Sequence, residues 1–168
     1  MQEYIQKVKD IISNSSNQYM AYVHTFGCQL NFSEGEKIKG LLAQMGYGLT
    51  NAPDNADIII FNTCAVRENA EDRVFGQIGA IKRFKRSNPN LIIGLSGCMA
   101  QEKHICDKIK KSYPYVDIVF GTSAMDKFPK LLLDVMVKNT LSILPNMAIL
   151  SMKVLIKLEI VTYLHLYL

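Results

Sequence analysis

The chain has 168 residues, 49% of them hydrophobic and 20% charged, which suits one ordinary domain with appendages and excludes a disordered chain, a collagen and a disulfide-packed mini-protein. Its net charge of +4 permits a nucleic-acid partner without arguing for one. Four cysteines are too sparse for a secreted disulfide scaffold, so they read as reduced thiols, metal ligands or catalytic groups in a cytoplasmic setting.

The N-terminus carries four charges and no apolar core, so it is not a signal peptide. No window reaches the roughly 18 uninterrupted apolar residues of a membrane span, and no membrane partner is expected. Between Glu3 and Ser13, Tyr4, Ile5, Val8, Ile11 and Ile12 fall at helical spacing, and Asn14 to Asn17 follow as a polar linker. Met20 to Phe26 reads as a buried strand. Ser33 and Glu36 spell a capping box, behind which Ile38, Leu41, Leu42 and Met45 make one apolar helix face, ended by Gly46. Tyr47 to Asn51 offers a further short strand, and Pro53 to Asn55 a turn. Asp57 to Thr63 is a continuous apolar run, as expected of a strand covered on both faces.

Arg67 to Arg86 then reads as a helix with Val74, Ile78 and Ile81 on one side, stopped by Ser87-Asn88-Pro89-Asn90. Leu91 to Gly97 is a buried strand, Met99 to Lys111 a polar helix and Val116 to Phe120 a fourth clear strand. Asp126 to Lys138 closes the alternation as a helix turning Phe128, Leu131, Leu132, Val135 and Met136 inward, with Pro129 in its first turn. Alternating strands and helices with short connections predict a doubly wound α/β domain, a mostly parallel sheet with helices on both faces. The expected division is an N-terminal helix and linker over 1–19, the α/β domain over 20–139 and an atypical tail over 140–168. Residues 141–168 hold three charges and 19 hydrophobic residues in 28, without a cap, turn or sustained period.

Three of the four cysteines share one kind of position. Cys28, Cys64 and Cys98 each follow a predicted strand, about 35 residues apart. In an open parallel sheet the C-terminal strand ends lie along one edge, and ligands bind in the crevice outside it. Gly27 and Gly97 allow close backbone approach there. Three thiolates at one edge suit a [4Fe–4S] cluster with one iron left open, or a zinc ion with an open position. The competing reading is that buried cysteines simply pack. Cys106, inside a helix, reads as packing on the sheet, and His24, inside the first strand, as a core histidine.

The sequences around these cysteines are TFGCQLN (Thr25 to Asn31), NTCAVRENAEDRVFGQIG (Asn62 to Gly79) and LSGCMAQ (Leu95 to Gln101). In order and spacing they resemble the N-terminal domain of the methylthiotransferases, over about Met20 to Lys138. The second stretch looks most like the branch that acts on tRNA rather than on a ribosomal protein. The resemblance implies that Cys28, Cys64 and Cys98 bind an auxiliary [4Fe–4S] cluster whose open iron holds the sulfur to be donated. It implies that a radical SAM domain, with a second [4Fe–4S] cluster and S-adenosylmethionine, activates C2 of an N6-isopentenyladenosine beside the anticodon, where the methylthio group is added. Such an enzyme works on tRNA with a sulfur donor, and a monomer is expected.

The C-x-x-x-C-x-x-C motif of the radical SAM domain does not occur in this chain, nor does an RNA-binding domain. The chain therefore reads as a fragment, or as a product of truncation or frameshift, expected to be inactive alone. If the cluster reading fails, a non-catalytic flavodoxin-like module binding a small ligand or a small zinc protein remains. Asn31 and Asn62 are placed to donate hydrogen bonds to cluster sulfurs, and Arg67 and Glu68 to lie near them. Lys82, Arg83, Lys85 and Arg86, around Phe84, read as a solvated C-terminal helix turn, with phosphate contact as the alternative. No dinucleotide or P-loop glycine motif is present.

Overall fold

A computed structural model of the chain describes residues 1–64 and 70–143. Helix α1 (Gln2–Ser13) precedes strand β1 (Met20–Thr25), helix α2 (Gln29–Gln44) and the two-residue strand β2 (Gly48–Leu49). Strand β3 (Ile58–Thr63), helix α3 (Ala70–Ser87), strand β4 (Ile92–Gly97), helix α4 (Lys103–Ser112), strand β5 (Ile118–Phe120) and helix α5 (Phe128–Ile143) follow. The strands form one parallel sheet in the order β2-β1-β3-β4-β5. The α/β expectation holds, and the order is that of flavodoxin-like sheets, which reverse direction between β1 and β3.

The continuous apolar runs are strands because both their faces are covered. Every residue of β3 and β4 is buried. Ile58 and Ile60 of β3 point into one core, shared with Val8 of α1, Ile38 and Leu42 of α2 and Leu132 and Met136 of α5. Ile59 and Phe61 point into the other, shared with Val74 and Ile78 of α3 and Ile105 and Ile109 of α4. Period-two alternation on a doubly covered strand thus splits one hydrophobic run between two cores. Helix α1 joins the first core through Ile5, Val8 and Ile12, so the N-terminal segment packs into the body of the domain.

Several predicted boundaries move. Helix α2 starts at Gln29, not at the Ser33/Glu36 capping box, and its N-cap is Cys28 in an extended conformation. The chain leaves β1 through Gly27 at φ 125° and turns straight into the helix, with Phe32 N–H bonding to Cys28 O at 3.2 Å. Ser33 therefore lies inside the helix, and Glu36 instead pairs with Lys39 at 2.8 Å. The polar helix predicted from Met99 divides into a 3-10 turn, Cys98–Gln101, and α4. Helix α5 runs on past Lys138 to Ile143, since no Gly or Pro stops it and Thr140 Oγ1 donates back to Met136 O at 2.9 Å. The rest of the expected tail, 144–168, lies outside the described residues, as do Arg67 and Glu68. Among the described residues no helix is long and apolar enough to cross a membrane.

Candidate metal centre

The sheet register brings the three strand ends level. Thr25 pairs with Asn62, Asn62 with Ser96, and Thr63 with Gly97. Cys64 and Cys98 are the next residues beyond that last pair, on strands about 4.8 Å apart. Cys28 follows the third strand of the set, at the N-terminus of α2. The three cysteines thus end β1, β3 and β4, three adjacent strands, at the edge where the sheet reverses direction.

Two glycines allow this convergence. Gly27 (φ 125°) has no room for a side chain: an added Cβ would overlap Cys64 Cβ and lie 3.3 Å from Asn31 Oδ1. Gly97 (φ 98°) sits as tightly, its added Cβ falling 2.7 Å from Asn62 Oδ1 and closer still to Thr63 O. A positive φ disfavours any residue but glycine, and here the space is missing as well.

All four cysteines are thiols. Cys28 Sγ–H donates to Asn31 Oδ1 at 3.1 Å. The backbone N–H of Asn31, ahead of that of Leu30, holds the Cys28 thiol below its ordinary pKa, as donors at a helix N-terminus do. The neighbouring side chain of Cys64, itself buried, also lowers the Cys28 pKa. Cys98 Sγ donates to Thr63 O at 3.6 Å. The backbone gathers the three positions while the Cys98 sulfur is turned to a carbonyl, and among the described residues no three His, Cys, Asp or Glu side chains close on one point as a metal-holding group.

Beneath the cysteines lies a belt of buried polar side chains that an apolar sheet interior does not need. Asn31 is 2% exposed, and Asn62, Thr63 and Ser96 are 0% exposed. Asn62 Nδ2 donates to Asn31 O at 2.6 Å, and Thr63 Oγ1 donates to Ser96 O at 2.9 Å. Asn31 Nδ2, Asn62 Oδ1 and Ser96 Oγ have no hydrogen-bond partner among the described residues. Buried polar atoms are rarely left so, and three together mark a place built for a further group. Thiols at three strand ends, with an amide N–H and a hydroxyl in reserve, are a soft donor set that fits an iron–sulfur cluster or zinc. Ser96 is absent from the sequence-based candidates, although a polar residue ending an apolar run two positions before a cysteine was the available signal.

The remaining candidates fall elsewhere. Cys106 Sγ donates to Ala100 O at 3.3 Å, packing α4 against the turn that follows Cys98. His24 is half-buried, bonded through Nδ1 to Tyr22 O–H at 2.9 Å and packed on Phe26, and burial lowers its pKa. Lys85 does not belong to a solvated turn: its ammonium pairs with Asp117 at 2.8 Å and is 18% exposed. Lys82, Arg83 and Arg86 are exposed. A cleft of about 260 Å³, lined in part by Tyr19, Tyr47, Asp57 and Asn90, lies at the opposite, N-terminal edge of the sheet.

Residues 20–121 match the family described as Uncharacterized protein family UPF0004, a span that holds β1 to β5 and all three strand-end cysteines. The chain belongs to the UPF0004 family. Among its relatives are proteins named tRNA-2-methylthio-N(6)-dimethylallyladenosine synthase. One from Thermoanaerobacter sp. (strain X514) is 49% identical over 126 residues, covering 74% of this chain and 27% of the relative. One from Clostridium beijerinckii is 51% identical over 118 residues, covering 70% and 26%. One from Clostridium perfringens (strain 13 / Type A) is 47% identical over 121 residues, covering 72% and 27%. This UPF0004 chain therefore spans about a quarter of the length of the curated relatives it matches. The methylthiotransferase resemblance read from the cysteine motifs agrees with these names, and α1 and α5 lie outside the UPF0004 match.

Proposed function

We propose that the chain is the auxiliary-cluster part of a cytoplasmic tRNA methylthiotransferase, with Cys28, Cys64 and Cys98 as three ligands of one [4Fe–4S] cluster. The observation that carries the reading is the position of these cysteines, each just beyond the C-terminal end of one of three neighbouring strands at the sheet's reversal point. The names of the relatives support it by supplying the substrate class, a tRNA adenosine bearing a dimethylallyl group, and the group added, a methylthio group.

When bound, such a cluster supplies an iron with no protein ligand, where sulfur for transfer is held. The chain's own residues do the rest. Gly27 and Gly97 let the backbone approach, the N-terminal N–H groups of α2 favour a thiolate at Cys28, and the Cys98 sulfur would have to leave Thr63 O to join the other two. Cys106 is the one cysteine left over, so the chain has no second cysteine triad for the cluster that binds S-adenosylmethionine. Alone, it neither cleaves that cofactor nor modifies tRNA. In the whole enzyme, S-adenosylmethionine, the second cluster, a sulfur donor and tRNA complete the reaction, and the chain acts as a monomer.

The test is anaerobic reconstitution with iron and sulfide, followed by iron counting and absorbance. Wild type and Cys106→Ala should take up about four irons per chain, and Cys28→Ala, Cys64→Ala and Cys98→Ala should not hold them. Unchanged iron content in Cys64→Ala would overturn the assignment, and stoichiometric zinc in place of iron would replace the cluster with a zinc site.

A further inference from the structure

We propose that Asn31 is a positioning residue whose side-chain amide reverses when Cys28 becomes a ligand, accepting a hydrogen bond from the thiol and donating one to the metal-bound sulfur. The inference rests on the cluster reading above and adds to it how the protein senses and stabilises the loaded state.

The geometry has three parts. Asn31 Oδ1 accepts from Cys28 Sγ–H at 3.1 Å, while Nδ2 of the same amide is buried and has no partner among the described residues. Such a group in a residue 2% exposed needs a reason. A ligating cysteine has lost its proton to solvent, so its sulfur can only accept. Oδ1 would then face a second acceptor with nothing between them. Half a turn about the terminal side-chain torsion exchanges Oδ1 and Nδ2, two atoms of nearly equal size, and brings the orphaned donor onto the sulfur without repacking.

The backbone of Asn31 is held while this happens. Its carbonyl accepts from Asn62 Nδ2 at 2.6 Å, and the residue sits in the first turn of α2. Gly27 lies so close that an added Cβ would sit 3.3 Å from Oδ1 and 3.4 Å from Cγ, which keeps the amide in contact with the loop. Only the amide plane is left to turn. An aspartate in its place would be an acceptor in both orientations, and a leucine neither donor nor acceptor.

Hydrogen bonds to ligand sulfurs withdraw electron density and raise a cluster's reduction potential. The test compares wild type, Asn31→Leu and Asn31→Asp after reconstitution with iron and sulfide, measuring iron content, the midpoint potential by a redox titration followed by electron paramagnetic resonance, and iron–sulfur stretching by resonance Raman. With iron content like wild type, the potential should shift downward in Asn31→Leu and further in Asn31→Asp, with altered stretching bands. A folded Asn31→Asp that takes up no iron while Asn31→Leu does supports the reversal too, because a fixed acceptor repels the sulfur. If Asn31→Leu does not fold, the isosteric Asn31→Asp decides alone. Unchanged potential and stretching in an iron-replete variant would overturn this inference and leave the cluster assignment standing. Failure of wild type to assemble a cluster would remove both.

Discussion

Asn62, in β3, donates from Nδ2 to the carbonyl of Asn31 in the first turn of α2, at 2.6 Å, with both residues almost wholly buried. This bond fastens the helix that Cys28 begins to the strand that Cys64 follows, and Asn62 Oδ1 lies against Gly97, the residue before Cys98. One side chain in the middle strand of the three thus touches the segments that carry the other two cysteines.

Replacing Asn62 with Leu should remove the side-chain donor from the Asn31 carbonyl and leave that carbonyl to the helix ladder alone. The expected loss is about 0.5–1.5 kcal/mol of stability in the metal-free protein. Urea unfolding of the two proteins reads it directly, and a midpoint within error of wild type would show that the brace carries no weight.

Glycine substitutions should divide by position. Gly97→Ala forces a side chain onto Thr63 O at φ 98°, and a loss of about 1–3 kcal/mol is expected together with reduced iron uptake. Gly40, exposed in α2, has nothing within 4 Å of an added Cβ, so Gly40→Ala should gain about 0.5–1 kcal/mol. Thermal melts of the pair in parallel check both signs, and a stabilised Gly97→Ala would contradict the packing described at this edge.

Asp117 accepts from Lys85 Nζ at 2.8 Å and from Ile93 N–H at 2.8 Å. Asp117→Ala leaves a largely covered ammonium with the Leu91 carbonyl but no countercharge, takes the acceptor from a strand N–H, and should cost about 3 kcal/mol. Lys82→Ala and Arg83→Ala, at exposed positions of the same helix, should stay within about 0.5 kcal/mol. Denaturant midpoints distinguish the two classes, and an equal, small effect at all three would return Lys85 to the solvated turn read from the sequence.

His24 supplies a pH dependence. Burial lowers its folded pKa from 6.5, so the unfolded chain takes up the proton first. Its contribution is fully present above pH 6.5 and is lost as pH falls through 6.5 to the lower folded value. Stability of wild type should decline over that window more steeply than that of His24→Gln, as read by urea midpoints at pH 7.5, 6.5 and 5.5, values about one unit either side of the unfolded pKa. Parallel slopes would assign the decline to other groups.

The order of elements was legible in the sequence because a parallel strand covered on both faces must be apolar at every position, and helices between such runs show their buried face at period 3.6. For the same reason Ile38, Leu42, Val74, Ile78, Phe128 and Leu132 were identifiable as core. Any βα unit places the residue after its strand at the sheet's C-terminal edge, so Cys28, Cys64 and Cys98 could be gathered before strand order was known. Tertiary structure decided the rest. The pairing of β1 with β3, and of β3 with β4, brings Asn31 against Asn62, Asn62 against Gly97 and Thr63 against Ser96, contacts between segments about 30 residues apart or more. It also starts α2 at Gln29, capped by Cys28, rather than at Ser33, and draws Lys85 from the surface to Asp117. Local pattern encodes which face of an element is buried, because burial follows from periodicity. Which polar atoms meet inside is set by register across strands, and no window of sequence contains both partners.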